Sequence, residues 1–328
     1  MNVRLLTEVQ IRGLVDIGET ITAVEKSLAD FSSGKIIQPD VVNFDLPQHR
    51  GEVHIKSAHI RGEEFYVIKV VSGFYGNPAR GLPAGNGLML VFEAETGRPL
   101  ALLFDNGYIT EMRTAAAGAV AARHLARQSV SIVGLVGAGN QARFQLRALA
   151  EVRTPREVRV WSRDPARAAA FIEDMKPLLA VEFRAVSSPA EAAGGADLII
   201  TATPSRVPLL KSAWLNPGVH ITAVGSDGPE KTELDPEILS RADLVYCDSI
   251  AQCSRLGEVR HALEKKAIRP DKIAGELGEI VLGLKPGRFH EGQITVADLT
   301  GLGAEDAAAA AVVYRKALSS GLGTFVEV

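Results

Sequence analysis

The chain has 328 residues, of which 46% are hydrophobic and 23% charged, so it is long enough and apolar enough for two packed domains. Its formal net charge of −3 offers no broad positive field, which argues against nucleic acid as a partner. No apolar run approaches the roughly 20 residues that span a bilayer, and the N-terminus lacks the pattern of a signal peptide. We therefore expect a cytoplasmic protein with no membrane partner.

Cysteine and histidine residues give no sign of a metal site. Cys247 and Cys253 are the only cysteines, too few for a disulfide framework, and no pattern around them has metal-ligand spacing. The seven histidines are scattered, without a pair on one helical face. We predict two free thiols and no bound metal.

The N-terminal third of the chain mixes one amphipathic helical pattern with strand patterns. The helix is predicted near Ile21–Phe31, and the strands around Val53–Ile60, Phe65–Val71 and Leu88–Glu93. This mixture predicts a separate α+β domain.

Two Ala-rich segments follow the helical pattern without breakers. Thr110–Ala126 is predicted as a long helix with Thr110 as its N-cap, and Asp306–Leu318 as a terminal helix that returns to the first domain. The predicted domains are therefore 1–115 together with the C-terminal helix 305–328, and 116–304.

The second domain begins with a strand, turn, helix, strand, helix pattern. The predicted elements are a strand at Val130–Val136, a helix at Gln141–Ala150, a strand at Arg156–Ser162 and a helix at Ala166–Met175, preceded by the N-cap Asp164 and by Pro165 at the first helical position. Further short apolar strands are predicted at Asp197–Ala202, His220–Val224 and Asp243–Tyr246. Near-continuous apolar strands favour a parallel sheet covered on both faces, so we predict an α/β, doubly wound Rossmann domain with five or six strands.

The turn after the first strand of this domain reads Gly137-Ala138-Gly139-Asn140-Gln141-Ala142. In a strand-turn-helix context, Gly137 can make the tight turn and Gly139 can admit a pyrophosphate. Ala142 can allow close packing of helix on strand, and the helix N-terminus faces the phosphates. Glycine-rich turns also occur for backbone reasons alone, but the context predicts a dinucleotide site that includes these residues.

The end of the second strand bears on the choice of nicotinamide cofactor. Ser162 stands where an NAD site usually has an acidic residue, and Arg163 follows it. A guanidinium suits a ribose 2′-phosphate because it can bind phosphate with two hydrogen bonds. We therefore favour NADP(H) over NAD(H); the alternative is that Arg163 is a surface charge and Asp164 binds the ribose.

Several blocks along the whole chain resemble the ornithine cyclodeaminase and mu-crystallin family. They are Lys69–Pro83, Asp105–Ala117, Gly225–Asp227, Lys231–Asp235 and Glu276–Glu279, in the family's order. Within the family, Leu46–Lys56, Asn86–Leu88, Asp105–Tyr108 and Ala297–Gly301 are similar to ectoine-utilisation members.

The resemblance implies that Lys69 and Arg113 bind a substrate carboxylate, with Lys69 close to the chemistry, and that Asp227 handles the proton on the substrate nitrogen. Bidentate arginine suits a carboxylate, and hydride transfer at Cα must be coupled to proton transfer on nitrogen. Taken one at a time, these residues would be read as a strand charge, a helix-surface charge and a loop residue. The resemblance further implies a substrate contact from Asn86, a homodimer built by the N-terminal domains, and cofactor contacts from Thr114, Thr203, Val224, Gly225 and Gly301.

The chain also departs from the family pattern on the side expected to meet the distal part of the substrate. Asp45 stands where relatives have arginine, with Arg50 nearby; Ala84 stands where they have Ser or Thr; and Asp298-Leu299 replaces Lys-Ser. Lys56 can supply a replacement cation or be an exposed strand lysine. Ornithine is therefore not the expected substrate.

These observations predict an NAD(P)(H)-dependent oxidoreductase that reduces a small α-imino acid or oxidises the matching α-amino acid. One alternative is a cyclodeaminase that retains its cofactor and releases ammonia on ring closure. Another, of a different class, is a non-catalytic protein that binds NADP(H) or a ligand. Net redox change separates the first two, and the absence of turnover with tight cofactor binding would favour the third.

Overall fold

The computed structural model describes residues 2–327 and divides the chain into two compact units. The first contains the chain up to Arg113 and from Leu302 onward, and the second runs from Thr114 to Gly301. The sequence placed the boundaries after residues 115 and 304. Among the described residues, no helix is both long and apolar enough to cross a membrane.

The first elements of the chain are β1 (Asn2–Thr7), α1 (Glu8–Leu14), α2 (Ile17–Ser32), β2 (Ile36–Ile37), β3 (Val42–Leu46), β4 (Gly51–Ile60), β5 (Phe65–Phe74), β6 (Gly85–Glu93), β7 (Pro99–Phe104) and α3 (Tyr108–Leu125), which includes the boundary between the units. They are followed by β8 (Ile132–Val136), α4 (Asn140–Ala150), β9 (Glu157–Trp161), α5 (Pro165–Met175), β10 (Glu182–Ala185), α6 (Pro189–Ala193), β11 (Leu198–Thr201), β12 (Arg206–Leu210), β13 (His220–Ala223), β14 (Thr232–Leu234), α7 (Pro236–Arg241), β15 (Leu244–Cys247), α8 (Ile250–Cys253), α9 (Glu258–Glu264), β16 (Ile273–Glu276), α10 (Leu277–Val281), β17 (Thr295–Asp298), α11 (Gly303–Ser320) and β18 (Thr324–Glu327).

The first unit is built on a mixed sheet in the order β18-β1-β7-β6-β5-β4-β2, with β3 paired to β4. Strands β4 to β7 form an antiparallel meander, whereas β1 runs parallel to β7. Helix α11 packs against α2 and against β4 and β5. One face of the sheet is therefore covered by helices, and this covered face carries the buried cationic side chains described below.

Helix α3 begins at Tyr108, so the prediction that Thr110 is its N-cap is wrong. The buried carboxylate of Asp105 instead accepts a hydrogen bond from the backbone N–H of Ile109, at 2.8 Å. An aspartate at this place satisfies a donor that a helix N-terminus leaves without an intrahelical partner. This contact fixes the start of the helix that carries Arg113.

The second unit has a parallel sheet of eight strands in the order β10-β9-β8-β11-β13-β17-β15-β16. One apolar core packs α4 and α5 on the sheet, around Val133, Val158 and Phe171. A second core packs α7 and α9 against it, around Ile199 and Val296. Helices on both faces confirm the predicted doubly wound Rossmann architecture.

The predicted number of strands in this sheet, five or six, is too low. The sequence analysis missed β10, β16 and β17, each of which is only four residues long. The predicted start of α5 is confirmed. The side chain of Asp164 caps the helix by accepting from Ala166 N–H at 3.0 Å, and Pro165 occupies the first helical position.

Candidate active site

Lys69 and Arg113 meet in the first unit through a shared carboxylate. Lys69 Nζ lies 2.8 Å from Asp306 Oδ2, and Arg113 Nε lies 2.7 Å from Asp306 Oδ1. Arg113 Nη1 also lies 2.9 Å from Glu305 Oε2. All four residues are almost completely buried. Strand β5, helix α3 and the first turn of α11 thus bring together two cations that are 44 positions apart in sequence.

Burial sets the electrostatics of this cluster. It lowers the pKa of Lys69 to about 7, helped by the positive charges of Arg113 and Lys56 and opposed by Asp306. Burial also opposes the charged form of Arg113, but Asp306 and Glu305 outweigh it and raise the pKa of the guanidinium. The Arg113 charge is therefore permanent, whereas the Lys69 charge is marginal at neutral pH and would be stabilised by a further anion.

Lys56 belongs to the same cluster, because strand register places it directly opposite Lys69 on β4. It is buried, which excludes the exposed-lysine alternative. Asn86 does not belong to it: Met89 is the residue of β6 opposite Lys69, and Asn86 lies three positions away, opposite Ser72. Since side chains alternate along a strand, Asn86 is on the other face of the sheet. There it lines a separate cavity of about 610 Å³.

The glycine-rich turn of the second unit has the backbone that its motif predicts. Gly137 has φ +116°, and a Cβ there would lie 2.5 Å from the carbonyl oxygen of Ala202, so only glycine fits. Gly139 forms the N-cap of α4 without a side-chain cap, and a Cβ at this position would meet nothing within 4 Å. The exposed N-terminus of α4 thus has free space where the helix dipole favours an anion.

Residues next to this turn are held in place by hydrogen bonds and by core packing. Gln145 Nε2 donates to the backbone oxygen of Thr114 at 2.9 Å and to Gln141 Oε1 at 3.1 Å. Thr114, on α3, is thereby linked to the first turn of α4. Ala142 is fully buried in the core beneath the turn, as the close helix packing requires. The structure thus brings Thr114, Gln141 and Ala142 to the glycine-rich turn.

Ser162 and Arg163 follow β9 directly, at the carboxyl end of the strand next to β8. Ser162 is half-buried and Arg163 is exposed. Asp164 is occupied as the cap of α5. Ser162 and Arg163 therefore lie at the edge of the sheet where a dinucleotide ribose binds in this architecture. One carboxylate oxygen of Asp164 is used as a helix cap, and its side chain is exposed.

Asp227 lies in the loop after β13, at the same edge of the sheet. Its Oδ1 is 2.7 Å from Lys231 Nζ, and its side chain is 42% exposed, whereas that of Lys231 is only 11% exposed. The loop closes on itself, since Ser226 Oγ donates to the Lys231 backbone oxygen at 2.7 Å. Asp227 is thus a solvent-accessible carboxylate held by a largely buried lysine.

Four further residues predicted to contact a cofactor also lie in loops at this edge. Thr203 follows β11, Val224 and Gly225 follow β13, and Gly301 follows β17. Two buried carboxylates hold these loops: Glu233 accepts from Thr203 and Gly225, and Asp248 accepts from the N–H of Gly301 at 2.5 Å. Sequence reasoning missed both carboxylates.

Asp298 has a different role from the one that the sequence suggested. It is buried at the end of β17, and its Oδ2 accepts from Val259 N–H at 2.9 Å, which caps the start of α9. It also lies within 4.8 Å of the thiols of Cys247 and Cys253, which are free and buried. Burial raises the pKa of the Cys253 thiol well above its ordinary value, so this thiol is a protonated part of the core that donates a hydrogen bond to Asp248.

Glu305 and Asp306 are the partners of the cationic cluster that the sequence analysis did not single out. The available signal was two adjacent carboxylates at the start of an otherwise Ala-rich helix. Acidic residues are common in a first helical turn because they complement the dipole. Their burial beside Lys69 and Arg113 depends on contacts between segments nearly 200 positions or more apart, which no local pattern encodes.

A family model described as the ornithine cyclodeaminase/mu-crystallin family matches residues 1–321. The chain belongs to this family. A relative from Rhizobium meliloti that is named as a dehydrogenase is 44% identical over 325 residues, which are 99% of this chain and 98% of the relative. The resemblance stated from the sequence is therefore confirmed at the level of the family, and the likeness to ectoine-utilisation members stays a prediction.

Solved structures with the same fold include two enzymes that cover nearly the whole chain. An archaeal alanine dehydrogenase dimer with bound NAD has a TM-score of 0.92 and 35% identity, covering 100% of this chain and 99% of its own. The Δ1-pyrroline-2-carboxylate reductase of Thermococcus litoralis, in complex with NADH and L-proline, has a TM-score of 0.95 and 35% identity, covering 99% and 100%. The prediction of an enzyme of this family is confirmed.

Proposed function

We propose that this protein reduces a small α-imino acid with NAD(P)H, or oxidises the matching α-amino acid in the reverse direction. The observation that carries the proposal is the buried pair of Lys69 and Arg113, which share Asp306. Burial leaves the Lys69 charge marginal, so a substrate carboxylate would supply the missing anion. The solved relatives with bound NAD or with NADH and proline support the same chemistry.

The second unit fits a nicotinamide dinucleotide. The open space at Gly139, the tight backbone at Gly137 and the uncapped N-terminus of α4 suit a pyrophosphate. Asn140 and Gln141 belong to the same first turn, and Thr203, Gly225 and Gly301 line the strand ends. When bound, the nicotinamide supplies or accepts the hydride at the substrate Cα.

The residues of this chain would perform three tasks. Arg113 and Lys69 bind and orient the substrate carboxylate, with Lys56 adding positive charge from the neighbouring strand. Asp227 holds the proton that the substrate nitrogen gains on reduction of the imine or gives up on oxidation of the ammonium. An ionisable carboxylate is needed for this last task, and Lys231 fixes its position.

We further propose that the enzyme prefers NADP(H). Ser162 leaves room for a 2′-phosphate where an aspartate would repel it, and the exposed Arg163 can bind that phosphate. The relatives with bound NAD or NADH show that the family fold also accepts the unphosphorylated cofactor. A direct comparison of the two dissociation constants tests this choice.

The proposal extends to a homodimer formed through the first unit. Strand β3 exposes the large apolar side chains of Val42, Phe44 and Leu46. Exposed apolar patches of this kind are typical of an interface, and the alanine dehydrogenase relative is described as a dimer. Sedimentation measurements test the assembly state, and a cytoplasmic location stays a prediction from the sequence.

Reaction stoichiometry separates the proposed activity from a cyclodeaminase. A reductase consumes one reduced cofactor for each amino acid formed, whereas a cyclodeaminase releases ammonia with no net redox change. The proposed reductase also requires the substrate carboxylate. An imine that lacks this group should therefore not be turned over, and equal turnover with and without it would contradict the role given to Lys69 and Arg113. A protein that only binds ligands would show no turnover with any of these compounds.

A further inference from the structure

Glu233 is a fully buried glutamate in the short strand β14, and its two carboxylate oxygens accept four hydrogen bonds. Oε1 accepts from the backbone N–H and the hydroxyl of Thr203, at 2.6 and 2.7 Å. Oε2 accepts from the hydroxyl of Thr201 at 2.7 Å and from the backbone N–H of Gly225 at 2.9 Å. A single side chain is thus bonded to the loops that follow β11 and β13.

The two loops leave neighbouring strands. Thr201 and Ala223 are partners in the parallel pairing of β11 with β13, so Thr203 and Gly225 emerge side by side at the carboxyl edge of the sheet. A Cβ at Gly225 would lie 2.6 Å from the Glu233 carboxylate and 2.3 Å from the Thr203 backbone oxygen. The glycine therefore permits the close approach that lets one carboxylate bridge both loops.

The position of Glu233 disfavours the charged form of its carboxylate. Burial raises the pKa of Glu233 to about 7 despite the four donors. A second buried glutamate, Glu258, lies behind it and accepts the Glu233 backbone N–H at 2.6 Å. Glu258 also accepts from the Thr232 hydroxyl and from the Leu234 N–H, both in β14. Glu258 thus holds the strand itself, whereas Glu233 holds the two loops.

Strand order indicates which half of a dinucleotide these loops would meet. In a doubly wound sheet, the cofactor spans the switch point, with its two halves on opposite sides of the first strand. Here β9, which carries the proposed ribose site at Ser162, lies on one side of β8, and β11 and β13 lie on the other. The loops held by Glu233 are therefore on the nicotinamide side.

We propose that Glu233 is a positioning residue for the nicotinamide half of the cofactor, because its carboxylate holds both strand-end loops in one arrangement. This inference rests on the proposed function. Glu233→Gln exposes the role, since the amide replaces one acceptor oxygen by an NH2 group. If the NH2 group replaces Oε1 it faces the backbone N–H of Thr203, and if it replaces Oε2 it faces that of Gly225. Two donors cannot form a hydrogen bond with each other, so one of the two loops loses this contact.

The test uses NADPH or NADH, whichever binds the wild type more tightly, and compares it with the corresponding compound without nicotinamide. That compound is ADP-ribose for NADH and 2′-phospho-ADP-ribose for NADPH. Dissociation constants are measured by calorimetry on the intact protein, together with the melting temperature. In Glu233→Gln, the dissociation constant of the reduced cofactor should rise about tenfold or more, whereas that of the ADP-ribose compound should change by less than about twofold. kcat should fall as well, since the hydride donor is misplaced.

The control is Asp235→Asn, which alters a nearby carboxylate that caps α7 and should leave both affinities unchanged. If Glu233→Gln fails to fold, Glu233→Asp can replace it, since aspartate keeps the charge but has a shorter side chain. This variant should likewise weaken binding of the reduced cofactor and leave binding of the ADP-ribose compound nearly unchanged. Parallel weakening of both ligands, or no change in either, would overturn the inference and leave Glu233 a structural residue. Failure of the wild type to bind either ligand would instead overturn the proposed function on which the inference rests.

Discussion

Asp306 Oδ2 lies 2.8 Å from Lys69 Nζ inside the first unit, where both side chains are at most 2% exposed. An ion pair normally favours the charged lysine, but burial and the two nearby cations outweigh it and lower the pKa of Lys69 to about 7. The cation that would bind a substrate carboxylate is therefore charged below neutral pH and increasingly neutral above it.

This relationship predicts a pH dependence for substrate capture. As pH rises through about 7, Lys69 loses its proton, so kcat/KM should fall with an apparent pKa near that value in the free enzyme. Lys69→Arg keeps its charge over the whole range and should remove this limb, even if its activity is lower. A wild-type profile that stays flat from about pH 6 to about pH 9 would rule out Lys69 as the titrating group.

Arg113→Ala should weaken productive substrate binding without weakening cofactor binding. Truncating one partner of a buried charged contact costs about 2–5 kcal/mol, so kcat/KM should fall by a factor of about thirty to several thousand. Asp306 and Glu305 would each lose the guanidinium as one of their partners, so the melting temperature should also drop. Arg98→Ala is the control, because it breaks an exposed ion pair with Glu93 in the same unit. Unchanged kcat/KM in Arg113→Ala would remove this residue from the site.

Asp227→Asn should lower turnover by about two or more orders of magnitude while cofactor affinity and melting temperature stay nearly constant, because the amide keeps size and polarity but does not titrate. Asp235→Asn is a suitable control. Asp235 caps α7 a few residues further on, and asparagine serves equally well as a cap. Near wild-type turnover and an unchanged pH profile in Asp227→Asn would show that its proton is not used.

Ser162→Asp should move cofactor preference towards NADH. An aspartate at the end of β9 would repel a 2′-phosphate and accept hydrogen bonds from ribose hydroxyls instead. Arg163→Ala should weaken NADPH alone. Dissociation constants for NADH and NADPH check both variants. If the unmodified protein binds NADH at least about tenfold more tightly than NADPH, the interpretation of Ser162 and Arg163 is wrong.

The buried acids of the second unit predict a pH-dependent stability. Burial, with the negative charges of Asp298 and Glu233, raises the pKa of Glu258 from 4.5 to about 8. Between these values the folded protein retains a proton that the unfolded chain has lost. The stability that this group contributes is therefore complete below about pH 4.5 and is lost as pH rises through about 8.

Glu258→Gln mimics the protonated acid and removes its titration. Its melting temperature should fall less steeply than that of the wild type as pH rises from about 6 to about 8, since one proton accounts for at most about 1.4 kcal/mol per pH unit. Calorimetric scans across this range on both proteins measure the difference. Parallel curves for the two proteins would mean that Glu258 carries no extra proton in the folded state.

Local signals in the sequence predicted the Rossmann core well. Asp164 and Pro165 marked the start of α5, and the turn around Gly137 has the backbone that its motif requires. The missed strands β16 and β17 are four residues each, so their identity depends on neighbours in the sheet rather than on a pattern of their own.

The composition of the site was harder to predict than the motifs. Lys69 and Arg113 were recognised, but the carboxylate that joins them comes from α11, nearly 200 positions beyond Arg113. The face that Asn86 occupies depends on the pairing register of β5 with β6, and a shift of one residue would reverse it. Asp298 was interpreted as a change in the substrate pocket, but its contact with α9 became visible only in the folded chain.

The most direct test of the proposed activity is the absorbance of NADPH and NADH when the purified protein is offered cyclic imino acids, or 2-oxo acids with ammonia, while the product amino acid is quantified. We predict that one reduced cofactor is consumed for each amino acid formed, and that Arg113→Ala abolishes most of this rate. Ammonia release from a diamino acid with only catalytic amounts of cofactor, and no consumption with any imino acid, would contradict the proposed reductase.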